Sequence, residues 1–128
     1  MEKTIERSSI YTLTMEAEKL LLKKLNEYYD TKPSEIITKK IKSKKATIMH
    51  VRDVLIKIGN IEEEDLKNNL YVGYIKAGMF NMNTAHIAVM KDGDEIIMKV
   101  HSVEGMIKQD TSNKAIKRFE DTLNELIK

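Results

Sequence analysis

Apolar positions along this chain keep two different periods. Leu21, Leu25, Tyr28 and Tyr29 return every three or four positions, the period of a helix with one buried face. Ile48, Val51, Leu55 and Ile58 do the same and stop at Gly59, and Ile116, Phe119, Leu123 and Ile127 mark a closing helix from Thr111 or Ser112 to Lys128. Between these stretches lie β-branched and aromatic runs: Leu70 to Ile75, Ala85 to Met90 and Glu95 to His101. They read as strands, and Asp92-Gly93 is a hairpin signal. A tight turn there pairs Val89 with Ile96, Ile87 with Met98 and Ala85 with Val100, which collects the apolar residues on one face. Ile61-Glu62-Glu63-Glu64-Asp65 reads as a solvated acidic stretch or a short helix. The C-terminal part is expected to be a small α+β unit with a three-stranded antiparallel sheet.

The first 45 residues carry a different order. Arg7-Ser8-Ser9-Ile10-Tyr11-Thr12-Leu13-Thr14 alternates with period two, placing Ser9, Tyr11 and Leu13 on one side and Ser8, Ile10 and Thr12 on the other. Thr14 suits a helix N-cap, and Glu16 and Glu18 suit the first turn behind it. Pro33 fits the opening turn of a second helix whose buried face is Ile36, Ile37 and Ile41. Strand, helix, turn and helix follow one another.

Leu13-Thr14, Glu16-Ala17-Glu18-Lys19-Leu20-Leu21 and Ser34-Glu35-Ile36-Ile37, in that order over about a third of the chain, resemble the ribbon-helix-helix DNA-binding family. The resemblance implies an α+β protein with a dimeric ribbon-helix-helix arm over residues 1–45 and a C-terminal domain over 46–128 that oligomerises, senses an effector or holds a protein partner. It implies a two-stranded ribbon in the major groove of double-stranded DNA, with Ser8, Ile10 and Thr12 on the base edges. Arg7, Lys32, Pro33, Ser34 and Glu35 would then contact phosphate, the last four at a helix start. The expected role is a sequence-specific transcriptional regulator, foremost a repressor, working as a homodimer with a tetramer open to it through the C-terminal domain. Antitoxins and plasmid copy-control or transfer factors of the same family are the alternative. A protein-interaction or assembly module that does not touch DNA is a second alternative, of a different class.

Charge adds to the DNA expectation. Residues 1–52 hold 12 Lys and Arg against 7 Asp and Glu, whereas residues 53–128 hold 10 against 13, so a net charge of +2 divides into a basic and an acidic part. The remaining chemistry is sparse. There is no cysteine, and no phosphate-binding glycine loop, nucleophile elbow or zinc-protease helix occurs, so no enzymatic activity and no cofactor are expected. The 21 positions from Leu13 to Ser34 imply a longer turn around Asp30-Thr31-Lys32, which nickel-responsive members of the family share. His50, His86 and His101 nevertheless look scattered, because the expected hairpin places His86 opposite Lys99, and no metal site is expected. The charged start Met1-Glu2-Lys3 lacks a leader's apolar run, and the apolar stretches are far short of a membrane span. A cytoplasmic location with no membrane partner is expected.

Overall fold

A computed structural model describes residues 2–103 and 109–128, with side chains from residue 15 onward. The order of elements is a long helix α1 (Glu2–Tyr28), strand β1 (Ile37–Lys42), helix α2 (Ile48–Ile58), strands β2 (Gly59–Asp65), β3 (Leu70–Ala77), β4 (Asn83–Asp92) and β5 (Glu95–His101), and helix α3 (Thr111–Leu126). The strands form one antiparallel sheet in the order β1-β5-β4-β3-β2. Helix α2 carries the chain from one edge of the sheet to the other. A four-strand meander then walks back until β5 closes on β1.

This order corrects the expected fold class. The segment Arg7–Thr14 lies within α1 and is helical, not a ribbon strand. No Gly or Pro interrupts the chain before Pro33, and Glu16 to Leu25 is rich in strong helix formers. Once that stretch has nucleated, each added residue gains a hydrogen bond, so the helix runs backward through a weakly strand-like sequence. The expected second helix is also absent. Pro33–Glu35 makes a single 3₁₀ turn, and Ile37–Lys42 is a strand whose partner is β5. With β1 and the acidic β2 included, the sheet has five strands rather than three. The division expected near residue 45 falls in the link between β1 and α2.

Two apolar layers explain why the central strands are nearly continuous hydrophobic runs. On one face Tyr71, Ile75, Ile87, Val89, Ile96, Met98 and Val100 pack with Val51, Val54 and Leu55 of α2 and with Ala115, Ile116, Phe119 and Leu123 of α3. On the other face Leu70, Val72, Ala88, Met90 and Ile97 are covered by Ala17, Leu21 and Leu25 of α1. Full burial of a leucine is worth about 1.5–3 kcal/mol, so Leu21 and Leu25 are the main fasteners of α1.

Helix α1 crosses the sheet obliquely. Glu18 pairs with Lys40 on β1 and Lys99 on β5, both at 3.6 Å. Near the opposite edge, Lys24 lies 2.7 Å from Glu63 on β2, and the Tyr28 hydroxyl donates to the same carboxylate at 2.7 Å. The Lys24 ammonium and the Tyr28 hydroxyl together hold Glu63 below its ordinary carboxylate range. A helix of 27 residues is about 40 Å long, while five strands span roughly 19 Å. Much of α1 therefore lies N-terminal to this crossing.

The β4–β5 hairpin keeps the expected faces but not the expected partners. Its two-residue loop is Gly93-Asp94, with Gly93 at φ 58°, and the closing pair is Asp92 with Glu95. Val89 therefore faces Met98 and Ile87 faces Val100, a slip of two residues from the expected register. A two-residue slip preserves which side chains point inward, so the hydrophobic pattern alone did not detect it. It does change the histidines, because His86 now faces His101 instead of Lys99.

Candidate functional site, a polar cleft at the end of β5

The connector after α1, the start of β1, the end of β5 and the start of α3 meet around a cleft of about 630 Å³. Asp30, Lys32, Ser34 and Glu35 line it from the connector, His101 and Ser102 from β5 and the residue after it, and Asp110 and Ser112 from the entry to α3. Its position follows from local sequence. Pro33 forces the short 3₁₀ turn that swings Ser34 and Glu35 toward the strand end, and β1 pairing then fixes the turn against β5.

His101 is the buried member of the group, with 1% of its surface exposed. Its Nε2 accepts from the Lys32 backbone N–H at 3.4 Å and stands 3.3 Å from a Glu35 carboxylate oxygen. One nitrogen thus faces a donor and an acceptor. A lone pair on Nε2 suits Lys32, and a hydrogen there suits Glu35, so the tautomer of His101 decides which of the two it bonds. Its Nδ1 is buried and has no partner among the described residues.

His86 continues the line inward. It lies opposite His101, its ring is stacked on Tyr29 with centroids 3.7 Å apart, and its Nδ1 is likewise buried without a partner. Burial, then His101, then Lys76 push its proton affinity below that of an ordinary histidine. Burial also raises the Tyr29 hydroxyl well above a free phenol, and that hydroxyl has no partner among the described residues.

Two of the three serine hydroxyls at the cleft are engaged with each other. Ser102 and Ser112 share a hydrogen bond of 2.7 Å, and neither is bonded to His101. The residue before helix α3, Asp110, has a left-handed backbone (φ 54°) and makes no side-chain cap. The first N–H groups of α3 therefore have no N-cap side chain, a setting in which a carboxylate or phosphate is welcome. Among the described residues no three His, Asp or Glu converge as metal ligands.

The residues singled out from the sequence are dispersed by this fold. Arg7, Ser8, Ile10 and Thr12 sit on the helical backbone of α1. Lys32, Ser34 and Glu35 are brought together on the cleft, and Pro33 shapes the turn between them. His101, Asp30, Ser102, Asp110 and Ser112 were not singled out for this site. The pairing of His86 with His101 was the available signal, and the expected register hid it.

Comparison of the chain with protein-family models, with curated proteins and with solved structures gave no match. None of the described helices is long and apolar enough to cross a membrane.

Proposed function

We propose that this protein is a non-catalytic, ligand-sensing regulatory module, and that its cleft holds a small polar molecule carrying an amine beside a carboxylate. The observation that carries this reading is the composition of the cleft. Three carboxylates, Asp30, Glu35 and Asp110, outnumber Lys32 around a buried imidazole. They favour a cationic group, while Lys32 and the uncapped start of α3 offer a place for an anion. The volume lies in the range of small-molecule sites. A non-catalytic role is favoured because the two buried serine hydroxyls, Ser102 and Ser112, are bonded to each other and not to a base. Occupancy would act on His101 and Glu35, and through them on the connector that leads out of α1. The test is a thermal-shift and calorimetric screen of the full chain against amino acids, simple amines and simple carboxylates. Zwitterions should bind most tightly, and Glu35→Gln with Asp30→Asn should weaken them. Equal binding by simple carboxylates, or no binding by any class, would overturn the reading.

A second reading, a nucleic-acid-bound regulator, is favoured by a row of exposed lysines. Lys39, Lys40 and Lys42 lie on edge strand β1, and Lys44 and Lys45 follow in the link to α2. Such a row would meet phosphates without requiring a reader strand, and its binding would fall steeply with salt. Duplex DNA titrations at several salt concentrations test it. Replacing the five lysines by glutamine should flatten the salt dependence, and salt-independent or absent binding by the parent chain would remove this reading.

A further inference from the structure

The turn joining β3 to β4 presents apolar side chains where a soluble hairpin would place polar ones. Phe80 is 86% exposed, Met82 75% and Met79 54%. Isolated exposed apolar residues need no explanation, but three within four positions at one tip form a patch. The backbone is held in an unusual shape to make this tip. Phe80 and Asn81 are left-handed at φ 55° and 54°, and Gly78 is at φ 77°. A left-handed backbone is uncommon for a bulky aromatic residue, and such strain persists where the surroundings impose it. The surroundings here are specific. Gln109 Oε1 accepts from the Met79 backbone N–H and from Asn83 Nδ2, both at 2.8 Å. A Cβ on Gly78 would lie 2.9 Å from both Asn83 Nδ2 and Gln109 Oε1, so the brace requires glycine on two counts.

From this we infer that the Met79–Met82 tip is a lipid-surface anchor that dips Phe80 and Met82 into the interface of an anionic bilayer. Three observations favour a lipid surface over a protein pocket or a second copy. The patch is a convex tip of three side chains, far fewer than the about 20–30 residues a side that a stable protein interface uses. One residue pair below the turn, exposed Lys76 lies opposite Thr84, setting a cation at the height of the headgroups when the tip is immersed. Between Leu66 and Lys91 there is no Asp or Glu, and the hairpin's one carboxylate, Asp92, stands at the end of β4 away from the tip, so nothing on the hairpin near the tip repels an anionic surface. Tyr74, whose ring lies 5.3 Å from the Lys76 ammonium, adds an aromatic group on the stem. Such an anchor is peripheral and needs no spanning helix.

The chain has no tryptophan, so Phe80→Trp gives a fluorophore that reports on the tip alone. The full-length variant is titrated with vesicles of phosphatidylcholine alone and with vesicles containing an equal part of phosphatidylglycerol, and brominated lipids measure depth. The expected result is a blue shift and bromine quenching, stronger on the anionic vesicles, with Lys76→Glu abolishing the difference between the two. In parallel, unsubstituted protein should sediment with the anionic vesicles. The Phe80→Ser, Met82→Ser double variant, verified by an unchanged melt, should do so at least about tenfold more weakly. Absence of both the shift and the sedimentation would overturn the proposal. So would a blue shift without lipid that grows with protein concentration, which would place the tip against a second copy.

Discussion

His86 and His101 stand directly opposite each other in the β4–β5 ladder, and one short connector holds both. Tyr29, at its start, stacks on His86 with ring centroids 3.7 Å apart, and a Glu35 oxygen, six residues later, lies 3.3 Å from His101. The connector after α1 is thereby tied to the sheet through two titratable rings.

Stability should decline as pH falls below about 6.5, the value of a free histidine. Burial, with His101 and Lys76 nearby, lowers the proton affinity of His86 in the folded chain, so the unfolded chain takes up the proton first. The stabilising contribution is thus present above that pH and is lost on acidification through the lower folded value. Melting temperatures between pH 7.5 and 5 measure it. His86→Phe, which keeps a ring under Tyr29, should flatten part of the slope, and an identical slope would assign the decline to other groups.

Tyr29→Phe should leave stability unchanged or raise it by up to about 1 kcal/mol. The hydroxyl is buried with no partner among the described residues, so removing it removes a desolvation penalty and no hydrogen bond seen there. Tyr29→Ala removes the ring over His86 and should cost about 3 kcal/mol. Denaturant unfolding of the two variants separates the contributions, and a clear loss in the phenylalanine variant would mean that the hydroxyl has a partner in solution.

The legible part of this fold was the part with a single dominant signal. Ile48 to Ile58 and Thr111 to Leu126 formed helices, and Leu70 to Ile75, Ala85 to Met90 and Glu95 to His101 formed strands. In these stretches periodicity and flanking turn residues agree. Arg7 to Thr14 failed because its alternation competes with the continuous helix formers behind it, and continuity won. Ile36 to Ile41 failed for the opposite reason. A proline turn and three isoleucines suit a helix start or an edge strand equally well, and only the free edge of β5 decides. The acidic β2 had no apolar alternation to announce it, and its ladder with β3 is irregular between Ile61 and Glu63. The cleft was half legible: Lys32, Ser34 and Glu35 were singled out for another task. The β5 and α3 residues they meet are more than sixty positions away and had no local mark.

Gly73→Ala should be among the most damaging small substitutions, costing about 3 kcal/mol or more. Gly73 on β3 lies against β2, and a Cβ there would come within 2.0 Å of the Asn60 carbonyl oxygen. That neighbour is backbone in a paired strand and cannot swing aside, so β2 would have to separate from β3. Amide exchange read across Gly59–Asp65 should accelerate selectively. A stability close to the parent would mean that β2 detaches at little cost.

A fragment of residues 46–128 tests how far the sheet depends on what precedes it. Removing α1 strips Ala17, Leu21 and Leu25 from the face made by Leu70, Val72, Ala88, Met90 and Ile97, all buried in the full chain. Removing β1 also turns β5 into an edge with a row of unpaired backbone groups beside that bare apolar face. An exposed apolar patch and an open strand edge both promote association. The fragment should therefore self-associate and bind a hydrophobic dye, and adding a peptide of residues 1–45 should reverse both effects. Light scattering decides: a monomeric, cooperatively melting fragment that ignores the peptide would show that α2, α3 and four strands already make a sufficient core, with α1 and β1 docked on as a separable arm.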